Sequence, residues 1–178
     1  MVAVGATKVC TCNCAMVSAF AKDDTMMAKI ETNDAVVEYT IYTDGAYSNL
    51  HQEGAFVFIM LKGDEEIMRM GGKIKNEDCN RAEIKAIIAG VSKLPVDAKH
   101  VKVISDSMTA LKTLARRIPN VKNMDLLAIW DRVLRQMPNV QIDLLFVKGH
   151  SGEKYNEICD DLCIQLLGYE PNRPTNNN

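Results

Sequence analysis

Four acidic side chains stand where the local pattern of the chain changes: Asp44 in "YTDG", Glu83 in "NRAE", Asp106 in "ISDS" and Asp160 in "NEICDDLC". Taken singly, each has an ordinary explanation as a turn residue, a helix-entry acid or part of a solvated helix face. Gathered in one place they would mean something else. Carboxylates packed together repel and hold protons at neutral pH unless a cation sits among them, and oxygen-only ligands suit hard divalent ions. Two such ions about 4 Å apart form a clamp for in-line displacement at phosphorus, one activating water and the other stabilising the leaving oxygen. The question is whether the fold brings the four acids together.

The elements that would carry them can be read from periodicity. Val36 to Thr43 is apolar and β-branched, which predicts a strand with Asp44 at its end. A loop from Gly45 to Gly54 leads to a second strand in "AFVFIML", and Ile67 to Lys75 reads as a third. Ile84, Ile87, Ile88, Val91 and Leu94 then recur at helical spacing before Pro95, predicting an amphipathic helix from Arg81 with Glu83 in its first turn. "HVKVISD" is a short strand ending at Asp106, and Ser107 can cap the helix after it, whose apolar line is Leu111, Leu114, Ala115 and Ile118. A helix over Met124 to Met137, a strand in "VQIDLLFVK" and a helix over Glu153 to Leu167 complete the order βββαβααβα. In the last helix Ile158, Leu162 and Leu166 are expected to face inward. Strands joined by short loops should pair antiparallel and those separated by helices should lie parallel, giving a mixed sheet with helices packed on it. If the first and fourth strands are parallel neighbours, Asp44 and Asp106 emerge at one end, where open α/β sheets place their sites, and Glu83 leans over them.

Composition narrows the setting. A chain of 178 residues is long enough for one domain with its own core. With 21 basic against 23 acidic residues it has no bulk attraction to a polyanion, so any nucleic acid must be held by local patches or by metal. No stretch approaches the ~20 apolar residues of a membrane span. The six cysteines lack the spacing of a secreted disulfide framework, which favours a reducing, cytoplasmic setting. Residues 1–34 read as a mobile arm, 35–169 as the folded domain and 170–178 as a polar tail. Cys10, Cys12 and Cys14 alternate without the paired spacing or fourth ligand of a structural zinc site.

Together with "VKGHSGEKYNEICDDL" from Val147 to Leu162, the quoted segments resemble the motif series of the ribonuclease H family, type 1, over about Tyr39 to Leu167. The resemblance implies a ribonuclease H-like fold with a five-stranded mixed sheet. It also implies endonucleolytic hydrolysis of the RNA strand of RNA–DNA hybrids with two Mg²⁺, Mn²⁺ being a possible substitute, leaving 3′-hydroxyl and 5′-phosphate ends. By position, Asp44 would bridge the metals, Glu83 and Asp106 would complete one side, and Asp160, rather than its neighbour Asp161, would hold the second ion. His150 would take up a proton or help product depart. Asn80 matches a polar position touching the minor groove, where 2′-hydroxyls mark RNA. Gly45, Asn49, Cys79 and Ser107 complete the implied substrate-binding set.

Several positions depart from the family pattern. Asp78 stands where many relatives have threonine in a phosphate pocket and is expected to repel a phosphate. Cys79 replaces a common asparagine or glutamine, Met108 a common glutamine, and the segment Arg116 to Asn123 is too short for a long basic handle. Arg116, Arg117 and Lys122 leave a modest positive patch. The expected protein is a monomer acting on hybrids. Two other readings stay open: a DNA nuclease or resolvase of the wider superfamily, and a non-catalytic binding module that kept the fold.

Overall fold

The computed structural model describes residues 17–19, 39–116 and 121–170. A short strand, β1 (Val17–Ala19), precedes three consecutive strands, β2 (Tyr39–Ser48), β3 (Glu53–Lys62) and β4 (Glu65–Lys75). Then come α1 (Cys79–Val91), β5 (His100–Ser105), α2 (Met108–Leu114), α3 (Met124–Gln136), β6 (Gln141–Phe146) and α4 (Lys154–Leu166). The sheet order is β1-β6-β5-β2-β3-β4. β2, β3 and β4 pair antiparallel, while β5 lies parallel to both β2 and β6.

These five strands have the order and directions expected from the sequence. β1 adds a sixth, parallel to β6, from within the segment read as an arm. Cys10, Cys12, Cys14, Arg117, Ile118 and residues 171–178 lie outside the described residues.

One boundary is corrected. Asp44 does not end its strand: β2 continues to Ser48 because its antiparallel ladder with β3 runs unbroken from Tyr39↔Lys62 to Ser48↔Glu53. The expected loop from Gly45 shrinks to a tight hairpin turn. What does stop near Asp44 is the parallel pairing on the other side, whose last partners are Tyr42 and Ile104. Beyond that point one edge of β2 has lost its neighbour, and a gap opens in the sheet.

Alternation along β3 divides the interior into two layers, because successive side chains point to opposite faces. Phe58 and Met60 join Ile41, Val103, Ile142 and Leu144 under the helices α1, α2 and α3. Ala55, Val57, Ile59 and Leu61 face Cys159 and Cys163 of α4. Each large aliphatic side chain buried this way contributes about 1.5–3 kcal/mol. Ile84, Ile87, Ile88 and Val91 are buried along α1, and Leu94, also buried, follows just past its end. Gly90 lets that helix sit against the sheet, since a Cβ there would meet Ile41 Cγ2 at 2.7 Å.

Asp78 caps α1, accepting from the Arg81 backbone N–H at 2.9 Å, and its other oxygen pairs with Lys122 at 2.5 Å. The acid expected to disturb a phosphate site is thus committed to a helix start. Arg81 ties the beginning of α1 to that of α3 by paired contacts with Asp125 at 2.9 and 2.5 Å. It also reaches Glu77 and Asn123 Oδ1.

Candidate active site

The gap beside β2 is where the acids meet. Asp44 projects from β2, Glu83 from the first half of α1, and Asp106 from just past the end of β5. One carboxylate oxygen of each lies within 4.8 Å of the others. Asp44 is 6% and Glu83 7% exposed, so neither is the solvated acid that its local sequence would suggest. Glu83 occupies the inward face of α1 beside Ala82, Ile84, Ile87 and Ile88.

Close approach of α1 to β2 creates this arrangement. A Cβ on Gly45 would fall 2.4 Å from the Glu83 backbone nitrogen and 2.5 Å from the Ala82 carbonyl carbon, so only glycine lets the helix come this near. On the opposite face α4 is pinned to β2 by two thiols: Cys159 Sγ donates to the Tyr42 carbonyl at 3.6 Å and Cys163 Sγ to the Asp44 carbonyl at 3.4 Å. Asp160, between them in sequence, lies outside the 4.8 Å group of three, yet its charge acts on Asp44.

Burial, followed by the charges of Asp106 and Asp160, pushes the Asp44 carboxyl up to about 7. Burial and the charges of Asp44 and Asp106 drive Glu83 well above the ordinary carboxylate range. Glu83 Oε2 is buried without a hydrogen-bond partner. Among the described residues no lysine or arginine pairs with Asp44, Glu83 or Asp106. A buried acidic group with an orphaned oxygen, no basic partner and only oxygen donors fits a hard divalent cation.

His150 is 76% exposed, with its backbone at φ 53° in the left-handed region, and its Nδ1 lies 3.8 Å from Asp160 Oδ2. Cys79 and Asn80 open α1. The Cys79 thiol turns back to donate to the Gly45 carbonyl at 3.4 Å, and burial together with the nearby acids raises it to about 11. Asn80 Oδ1 is buried without a partner. Ser107 caps α2, accepting from the Ala110 N–H at 3.4 Å. Asn49 sits at the exposed hairpin tip, its carbonyl accepting from Gln52. Of the modest basic patch, Arg116 pairs with Asp131 and Lys122 with Asp78.

Two residues beside the acids were not singled out from the sequence. Asn156 donates to Asp106 Oδ2 at 3.3 Å, and Gly149 lies beside the same oxygen, which a Cβ there would meet at 2.6 Å. Only the spacing of Asn156, one helical turn before Asp160, could have drawn attention to it.

Sheet, helices and acidic group define a class: an α/β protein with a carboxylate site at the end of its parallel strands. The RNase H family model matches residues 37–167. A ribonuclease H of Treponema denticola is 30% identical over 153 residues, covering 70% of this chain and 94% of that protein. One from a Thermoanaerobacter species is 32% identical over 154 residues, covering 78% and 94%. The crystal structure of RNase H1 from Halobacterium salinarum covers 73% of this chain and 97% of its own at a TM-score of 0.60 and 21% identity, a likeness of fold. The chain belongs to the ribonuclease H family, and is thus a hydrolase acting on phosphodiester bonds.

Proposed function

We propose that the protein cleaves the RNA strand of RNA–DNA hybrids endonucleolytically, with two Mg²⁺ held by Asp44, Glu83, Asp106 and Asp160, leaving 3′-hydroxyl and 5′-phosphate ends. The observation that carries this reading is the group of three carboxylates within 4.8 Å, inside a gap of the sheet and, among the described residues, without a lysine or arginine partner. When bound, the ions supply an activated water and charge neutralisation at the reacting phosphate. Asp44, on β2, would serve both ions. Glu83 and Asp106 complete one side, and Asp160 the other. His150, exposed and adjacent to Asp160, exchanges a proton with solvent during turnover or product release.

Substrate is read at the mouth of the gap. Asn80 and Cys79, at the start of α1, face the minor groove of the hybrid. There the 2′-hydroxyl is the group that distinguishes RNA from DNA. Gly45, Asn49 and Ser107 contact the backbone. The test is cleavage of labelled hybrid, duplex DNA and duplex RNA by folded protein in Mg²⁺ or Mn²⁺. Hybrid alone is expected to be cut. No cleavage in either metal would sink the proposal, and cleavage of duplex DNA instead would favour a DNA nuclease. A melting scan is expected to show a rise with millimolar Mg²⁺, by mass action on the folded state.

A further inference from the structure

Asn156 of α4 is 2% exposed, and its amide is only half satisfied. Nδ2 donates to Asp106 Oδ2 at 3.3 Å, whereas Oδ1 is buried with no hydrogen-bond partner. A desolvated acceptor left unpaired weakens a fold, and an apolar side chain of the same shape would serve packing better. The amide therefore needs a reason other than stability. The backbone of the loop before α4 closes on the same oxygen, since a Cβ on Gly149 would lie 2.6 Å from Asp106 Oδ2.

We propose that Asn156 is a positioning residue for the cation site, committing Oδ2 of Asp106 to the protein so that its other oxygen is presented toward Asp44 and Glu83. The inference rests on the metal-dependent reading above. A neutral donor suits this task. Lysine or arginine in its place would neutralise the acidic group and compete with a divalent ion, and a further carboxylate would repel Asp106. Asn156 also lies one turn before Asp160, so the hydrogen bond links the helix carrying the fourth acid to the end of β5. Ligand-orienting partners of this kind typically change metal affinity by about 10–100-fold when removed.

Asn156→Leu separates positioning from packing. Its melting temperature in EDTA is expected to equal or exceed that of the wild type, because an unpaired buried acceptor has gone. Its Mn²⁺ affinity, measured by calorimetry, is expected to fall about 10–100-fold, with hybrid cleavage restored toward wild type at saturating Mn²⁺. A lower melting temperature with Mn²⁺ affinity within about twofold of wild type would overturn the proposal and leave Asn156 a packing residue. Gly149→Ala approaches the same oxygen from the other side. The displaced atom is the tip of a side chain, so the fold is expected to survive while Mn²⁺ binding weakens. Wild-type Mn²⁺ affinity in a folded Gly149→Ala protein would count against the proposal as well. Failure of the wild type itself to bind Mn²⁺ would overturn the metal reading and this one with it.

Discussion

Asp44 is ionised only against resistance, because it is buried beside Asp106 and Asp160 and its carboxyl is raised to about 7. Replacing it by asparagine keeps the shape and removes the repulsion. Asp44→Asn is expected to raise stability in EDTA by about 1–3 kcal/mol at neutral pH, while lowering hybrid cleavage by roughly a thousandfold or more. Denaturation and single-turnover cleavage check the two halves separately. His150 is exposed and makes only a long contact with Asp160. His150→Ala should therefore lower kcat by roughly a hundredfold while leaving Mg²⁺ affinity and stability as they were. At this scale the sequence was informative about which acids to examine, since changes of period mark strand ends and first turns. It could not show that Glu83 lies on the inward face of α1, because a glutamate beside Ile84 and Ile87 reads equally well at the edge of a solvated face.

Helices α1 and α4 set the distances in the site from opposite faces of β2. Gly45→Ala would drive a Cβ into backbone atoms of Ala82 and Glu83, which cannot rotate away, so α1 must shift. The expected outcome is a loss of about 1–3 kcal/mol in denaturant unfolding with a larger loss of Mg²⁺ affinity. The start of α3 depends on a different contact. Asp125, hydrogen-bonded by Arg81, is held down at about 2, below its unfolded value near 3.8. A depressed carboxyl stabilises fully above the unfolded value, and that contribution is lost as pH falls through the interval from about 4 to 2. Asp125 is largely exposed, so the effect is about 0.5–1 kcal/mol, and Asp125→Asn should remove this part of the acid sensitivity in melting scans.

Helical spacing located α4 to within one residue at each end and α1 to within three, the expected helix running on to Leu94 where α1 stops at Val91. The inward face of α4 was less legible. Ile158, Leu162 and Leu166 were expected to lead, and they do pack on the layer that α4 covers, but Cys159 and Cys163 are its fully buried apolar positions. Small thiols let the helix approach the sheet closely enough to donate to its carbonyls, and no apolar periodicity announces that.

The molecule as a whole carries a formal charge of -2, and several of its cations are already engaged. Arg81, Arg116 and Lys122 are paired with carboxylates and so are poor partners for phosphates. Without divalent ions, hybrid affinity should change by less than about tenfold between ~50 and ~200 mM salt, the response of about two phosphate contacts. Anisotropy titrations at the two ionic strengths measure this, and a steep dependence would reveal a basic surface elsewhere. Strand directions followed from the lengths of the connections, whereas the neighbourhood of β2 and β5 could be posed only as a condition. The extension of β2 past Asp44 did not follow, because Asp-Gly is a turn signal that an antiparallel partner can override. Nor did β1, a three-residue strand too short to have a pattern of its own.

The three closest acids come from a strand, a helix and the end of a second strand, with α4 bracing them from the other face. No contiguous piece of the polypeptide can reproduce that enclosure. On the proposed reading, cation capture would consequently report the completeness of folding rather than of any local segment, and a partly formed chain whose α4 has not docked would be expected to lack it.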